Sequence, residues 1–167
     1  MSPASAQQRH KPASQLQRAR ELVVACVPMR SNINVSQIAR TASAVAAERL
    51  YLCGNARVIP KIARDAVDAL PVECHRTLPP ILTRLRKQGY RLVGLEQTGR
   101  STDLHRYGFS RKTALVIGNE RLGLPESVLD MMDDVVEIGV YGMPHSYNAA
   151  IATSMALYEY CRQFPTG

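Results

Sequence analysis

Three short segments of this chain concentrate the residue types that hold small ligands. They are QTGRSTD (97–103), NERLGLP (119–125) and GVYGMPHSYN (139–148), and each follows an apolar run. Glycine in such loops lets the backbone approach a ligand closely and adopt positive φ, although ordinary turns share this composition. Within them, Glu120 is a lone carboxylate just past a buried run. It is suited either to capping the short helix that follows, where an acid favours the positive end, or to positioning a loop and a substrate. Ser146 is placed to cap the last helix, with Asn148 one step inside. His145 is of the residue type that most often serves as a general base, but it reads better as a loop histidine.

Familiar cofactor and nucleophile signatures are missing. Gly118 to Gly123 has the spacing of a phosphate-binding loop, but Leu124 and Pro125 stand where Lys and Ser/Thr are needed. No G-x-G-x-x-G follows the first apolar run, and there is no G-x-S-x-G elbow. The four cysteines, Cys26, Cys53, Cys74 and Cys161, form no C-x-x-C pair. Cys74–His75 is adjacent and alone, so no metal is expected. Cys26 and Cys53 lie in apolar runs and read as small buried hydrophobes in a reducing, cytoplasmic setting.

The loops need elements to hold them. LVVACV (22–27), RLYLC (49–53), YRLVGLE (90–96), TALVIG (113–118) and DVVEIG (134–139) read as strands, with a weaker one near Val72. Helices are expected from about Val35 to Ala47, at about 60–69, over 80–88, and from about Tyr147 to Gln163. In 80–88, Ile81, Leu82 and Leu85 share one face, with Arg84, Arg86 and Lys87 largely opposite. Near-continuous apolar strands alternating with helices predict an α/β fold, with a mostly parallel sheet covered on both faces. Ligands of such sheets sit in the loops beyond the strand C-termini, where the three polar segments fall.

A chain of 167 residues with 46% hydrophobic and 21% charged residues is of globular type, and one domain is expected over 21–167. Its longest apolar run, Leu22 to Met29, is eight residues, against the ~20 a membrane helix requires. Charge is uneven. Residues 1–112 hold nineteen Lys/Arg against seven Asp/Glu, and 113–167 hold two against seven. Seventeen of the 21 cations are Arg, the side chain better shaped for bidentate phosphate contact. A polyanion partner for a basic face is one reading, and a solvated surface is the other. The first twenty residues lack acids and carry Arg9, Lys11, Arg18 and Arg20. They read as a basic N-terminal arm or helix, with a faint transit-peptide flavour as the alternative.

Three blocks taken in order resemble the TrmH family of SPOUT methyltransferases. NVSQIARTA (34–42) is similar to its N-x-G-x-x-x-R-T-A block, and ALVIGNERLGLP (114–125) to its G-N-E-x-x-G-[LI]-P block. EIGVYGMPHSYNAAIATSMALYEYCRQ (137–163) is similar to its I-P-x-x-G-x-x-x-S-L-N block and final helix. The resemblance implies S-adenosylmethionine-dependent methylation of a ribose 2′-hydroxyl in tRNA or rRNA. It also implies a SPOUT α/β-knot with a deep C-terminal trefoil knot, and a homodimer. Carried over by position, Asn34, Arg40, Glu120, Ser146 and Asn148 would be catalytic. Thr98, Gly99, Gly118, Asn119, Ile138 and Tyr147 would hold the cofactor. Three positions depart from the pattern: Ser36 replaces Gly, Gly139 replaces Pro, and Tyr147 replaces Leu.

The resemblance implies that Arg40 takes the hydroxyl proton, but a guanidinium donates and does not accept, so the chemistry favours Arg40 as the group that anchors the target phosphate and stabilises the developing alkoxide. Asn34 would orient Arg40 or the ribose. Arg9, Lys11, Arg18, Arg20, Arg30, Arg84, Arg86 and Lys87 would face RNA phosphates. A guanosine in tRNA is the favoured target and rRNA the runner-up. Two other classes remain: a catalytically silent RNA-binding module of the same fold, and a small-molecule α/β enzyme that binds a nucleotide.

Overall fold

The computed structural model describes residues 12–167, so Arg9 and Lys11 lie outside the described residues. The elements run β1 (Leu22–Cys26), α1 (Asn32–Ala44), β2 (Arg49–Cys53), α2 (Pro60–Ala63), α3 (Ala66–Ala69), β3 (Val72–His75) and α4 (Pro79–Lys87). Then follow β4 (Arg91–Leu95), β5 (Thr102–Asp103), β6 (Thr113–Ile117), α5 (Glu126–Leu129), β7 (Asp134–Glu137) and α6 (Ala149–Gln163). All seven strands are parallel, in the order β3-β2-β1-β6-β4-β7-β5. The chain therefore inserts β6 between β1 and β4, then crosses β4 to lay down β7.

Strand alternation divides the core in two. Leu22, Val24 and Cys26 of β1 face the layer of α1 and α6 together with Leu52, Val93, Leu115 and Ile117. Val23 and Ala25 face the opposite layer with Leu92, Val116 and the α4 residues Ile81, Leu82 and Leu85. Both faces of β1 and β6 are covered and every residue of the two strands is buried. This is why they read as unbroken apolar runs. Burial raises the thiol pKa of Cys26, and that of Cys53 to about 11, so both stay protonated near neutrality.

Four expectations are corrected. Helix α1 begins at Asn32 and not near Val35, because Ser31 caps it by accepting from the Asn34 N–H at 3.2 Å. The single helix expected at 60–69 is two short turns, because Arg64 sits at φ 56° and breaks the backbone ladder between α2 and α3. Helix α6 starts at Ala149, with Asn148 as its cap in place of Ser146. Residues 12–20 form no helix.

Arg20 is also not available to RNA phosphates. It is buried, with its guanidinium donating to the Phe164 carbonyl at 2.6 Å and standing 5.8 Å from the Tyr160 ring centroid. Other arginines placed in the RNA-facing set have partners of their own. Arg18 pairs with Glu21, Arg84 with Glu73 and Arg86 with Asp133. Arg86 and its partner Asp133 lie at the end of the sheet where β4 and β7 begin, away from the strand C-termini.

Candidate active site

The three polar segments and the β1–α1 loop converge at the strand C-termini, and Glu120 ties its own segment to the β1–α1 loop. One carboxylate oxygen accepts from the Arg30 N–H at 3.0 Å. The other accepts from the Ser31 N–H at 3.0 Å and from Asn34 Nδ2 at 3.1 Å. Asn148 Nδ2 in turn donates to Asn34 Oδ1 at 3.1 Å, while Asn148 Oδ1 caps α6 through the N–H groups of Ala150 and Ile151. Asn34 thus bridges a carboxylate on one loop and an amide on another. Glu120 does not cap α5, which starts six residues later; it positions the loop that leads into α1. Burial pulls the Glu120 carboxyl upward in pKa, but the backbone donors and Asn34 outweigh it and hold the group below the usual range.

Neighbouring contacts stiffen this arrangement. Asn119 Nδ2 donates to the Pro28 carbonyl at 2.9 Å, and its Oδ1 accepts from the Arg121 and Leu122 N–H groups. Asn119 and Gly123 exchange both backbone hydrogen bonds, closing a tight turn in which Gly123 has φ +66°. Ser36 is buried, donates to the Asn32 carbonyl and accepts from the Ile59 N–H, so the departure from Gly is used to fasten α1 to the loop before α2.

Beside this network lies a cavity of about 240 Å³ opening between β6, β4 and β7. Of the residues expected to hold a cofactor, Gly118, Asn119, Ile138 and Tyr147 line it, as do Glu120 and Ser146 from the catalytic set. Tyr147 donates to the Gly139 carbonyl at 3.2 Å and closes one wall. Thr98 and Gly99 are not in the lining. They belong to a turn in which Ser101 Oγ accepts from the Thr98 N–H, and Gln97 reaches the cavity in their place. Sequence reasoning missed Glu96, Gln97 and Glu137, because polar residues at strand ends look like ordinary solvated positions.

The lining is apolar at Leu95, Ile117, Ile138 and Val140 and carries three carboxylates, Glu96, Glu120 and Glu137, with Arg121 as its one cation. A phosphate-rich ligand would meet repulsion there. A nucleoside bearing a positive centre would find an apolar bed and matching charge. Arg40 lies on the exposed side of α1, six residues beyond Asn34, and makes no hydrogen bond or ion pair among the described residues. Exposed Arg30 and Arg121 stand at the same mouth, whereas exposed Arg57 lies by the start of α1, its N–H held by Asn32 Oδ1 at 2.9 Å. Arg57 and Arg121 were not singled out from sequence. Their signal was their position in loops that follow strands. No group of three metal-ligating side chains exists among the described residues.

A Cβ at Gly118 would stand 2.6 Å from the Gly123 carbonyl carbon and 2.8 Å from the Leu124 nitrogen. Both are backbone atoms and cannot give way cheaply. Gly118→Ala is therefore expected to destabilise the chain by about 1–3 kcal/mol, read as a lower urea midpoint, through overpacking of the turn.

The profile described as the SpoU rRNA methylase family matches residues 21–158. The tRNA (guanosine(18)-2′-O)-methyltransferase of Escherichia coli K12 is 27% identical over 146 residues, 86% of this chain and 64% of that protein. This chain therefore spans less than two thirds of that relative's length. The Aquifex aeolicus TrmH/SpoU tRNA-modifying enzyme superposes with a TM-score of 0.83 at 26% identity, covering 90% of this chain and 78% of that one. The SpoU methyltransferase AviRb from Streptomyces viridochromogenes, in complex with the cofactor AdoMet, gives 0.75 at 28% identity, covering 92% and 62%.

Proposed function

We infer that this chain, which belongs to the SpoU rRNA methylase family, methylates a ribose 2′-hydroxyl of structured RNA with S-adenosylmethionine as donor. A guanosine in tRNA is the favoured target. The observation that carries the reading is the Asn34–Glu120–Asn148 network at the mouth of a nucleoside-sized cavity. When bound, the cofactor supplies a methyl group made electrophilic by its sulfonium. Gly118, Asn119, Ile138 and Tyr147 would hold it. Arg40 donates to the target phosphate and to the oxygen as it gains negative charge, and the hydroxyl proton leaves to that phosphate or to water. Asn34 keeps the hydroxyl in line, and Glu120 with Asn148 keeps Asn34 in place. Holding both reactants in register supplies about 7–11 kcal/mol of the barrier.

Several further properties belong to the same proposal. Residues 21–167 act as one methyltransferase domain behind a basic arm, with the C-terminal segment threaded as a trefoil knot. The crossing of β4 between β6 and β7, and the packing of α6 against α1 through Thr41 and Ser154, support that threading. The enzyme works in the cytoplasm, and no described helix is long and apolar enough to cross a membrane. Labelled methyl transfer into deproteinised total RNA tests the activity. Alkali-resistant label in the tRNA-sized fraction is expected. Label in large RNA would move the substrate to rRNA, the substrate that the family's description names.

A homodimer completes the proposal. Ile151, Met155 and Tyr158 form an exposed stripe along α6, with Ile33 exposed on neighbouring α1. Tyr158 alone is 74% exposed, and such apolar stripes mark interfaces. Tyr158→Asp is expected to convert a dimer into a monomer at micromolar concentration, measured by sedimentation velocity. A wild-type chain that sediments as a monomer would defeat this part.

A further inference from the structure

The geometry assigns to Glu96 the recognition of the cofactor's ribose diol, an inference that rests on the function proposed above. Glu96 follows β4, and its own N–H is tied to the Val136 carbonyl at 3.0 Å. Its side chain is fixed as well. One oxygen accepts from the Gln97 N–H at 3.0 Å and the other from the Leu124 N–H at 2.9 Å. The second oxygen sits so close over Gly123 that a Cβ there would come within 2.3 Å of it. No Lys, Arg or His forms an ion pair with it among the described residues. A preorganised, half-buried carboxylate therefore lines the cavity with one lone pair on each oxygen left to accept.

Two donors on adjacent atoms suit this acceptor best. The vicinal hydroxyls of a ribose offer that pair, and strand-terminal acids elsewhere hold ribose hydroxyls in the same manner. The place within the cavity agrees. Glu96 ends the strand between β6 and β7, beside the apolar bed of Ile117, Ile138 and Val140 that suits a purine. The polar network of Asn34 and Glu120 lies on the β1 and β6 side, where the reacting end must reach. The ammonium of the amino-acid arm is a poorer match, because its own carboxylate would travel with it toward Glu96 and Glu137.

Isothermal titration calorimetry of the full chain tests the assignment without any turnover. The probes are S-adenosylhomocysteine, 5′-methylthioadenosine and 2′-deoxy-5′-methylthioadenosine, against wild type and Glu96→Gln. Charge-assisted hydrogen bonds are strong enough that Glu96→Gln is expected to weaken the two ribose-bearing ligands about tenfold or more. Wild type should bind the 2′-deoxy ligand about tenfold more weakly than its parent, and Glu96→Gln should cost that ligand less than about threefold further. The deoxy comparison on wild type keeps the assignment falsifiable if the variant does not fold. Equal losses for the ribo and deoxy ligands would make Glu96 merely a brace for the Leu124 turn. A loss confined to S-adenosylhomocysteine would assign it to the ammonium, and unchanged affinities would remove it from the contact. Each of these overturns the assignment and leaves the proposed function standing. A wild type that binds none of the three adenosyl compounds overturns both.

Discussion

Arg40→Ala is expected to lower methyl transfer into RNA by about 100- to 1000-fold, the loss that follows removal of one donor to a developing oxyanion. Affinity for S-adenosylhomocysteine should be unchanged, since Arg40 is not among the residues lining the cavity. Stability should hold within about 0.5 kcal/mol, because the side chain is exposed and has no partner among the described residues. Arg40→Lys should recover only part of the rate, since the ammonium keeps the charge and loses the planar fork that grips a phosphate. The measurement is single-turnover transfer of labelled methyl at saturating RNA, beside calorimetry and urea unfolding of the same variants. A variant within threefold of wild type would remove Arg40 from the chemistry. A variant that also lost cofactor affinity would move Arg40 into cofactor binding.

What the sequence disclosed follows from which interactions are local. β1 and β6 were legible because a strand covered on both faces must be apolar at every position. α1 and α4 were legible from their three-and-four spacing of buried side chains. β5 was not. Thr102 and Asp103 are polar, and only their pairing with β7, some thirty residues later, makes them a strand. The break at Arg64 was equally hidden, since a positive φ at a non-glycine residue has no compositional signature. In the site, Glu120 and Asn34 were found as members of separate blocks. Their hydrogen bond spans 86 residues of sequence, so spacing alone could not show that one holds the other. Arg20 was misread for the same reason. Its charge is visible in the sequence, but the Tyr160 ring and the Phe164 carbonyl that bury it come from the far end of the chain.

Glu120→Ala should affect both stability and rate, and pH separates the two effects. Removing the carboxylate strands the N–H groups of Arg30 and Ser31 and the amide of Asn34. Unpaired donors in a partly buried site cost about 1–3 kcal/mol, and loss of Asn34 alignment should slow transfer by about 100-fold or more. Glu120→Gln keeps one acceptor and should fall between. The folded carboxyl is held below its usual pKa, so its contribution to stability is present above the unfolded value, near about 4.3, and is lost as pH falls through the folded value. Urea unfolding should therefore show the full gap between wild type and Glu120→Gln at neutral pH, and a shrinking gap as the solution is acidified below about 4. A gap independent of pH would mean that the charge of Glu120 contributes nothing. Whether Glu120 acts through Asn34 is read from the double variant. If it does, the double variant should be about as slow as Asn34→Ala alone, because once Asn34 is gone Glu120 has nothing left to support. Additive losses would instead require Glu120 to contact the RNA or the cofactor directly.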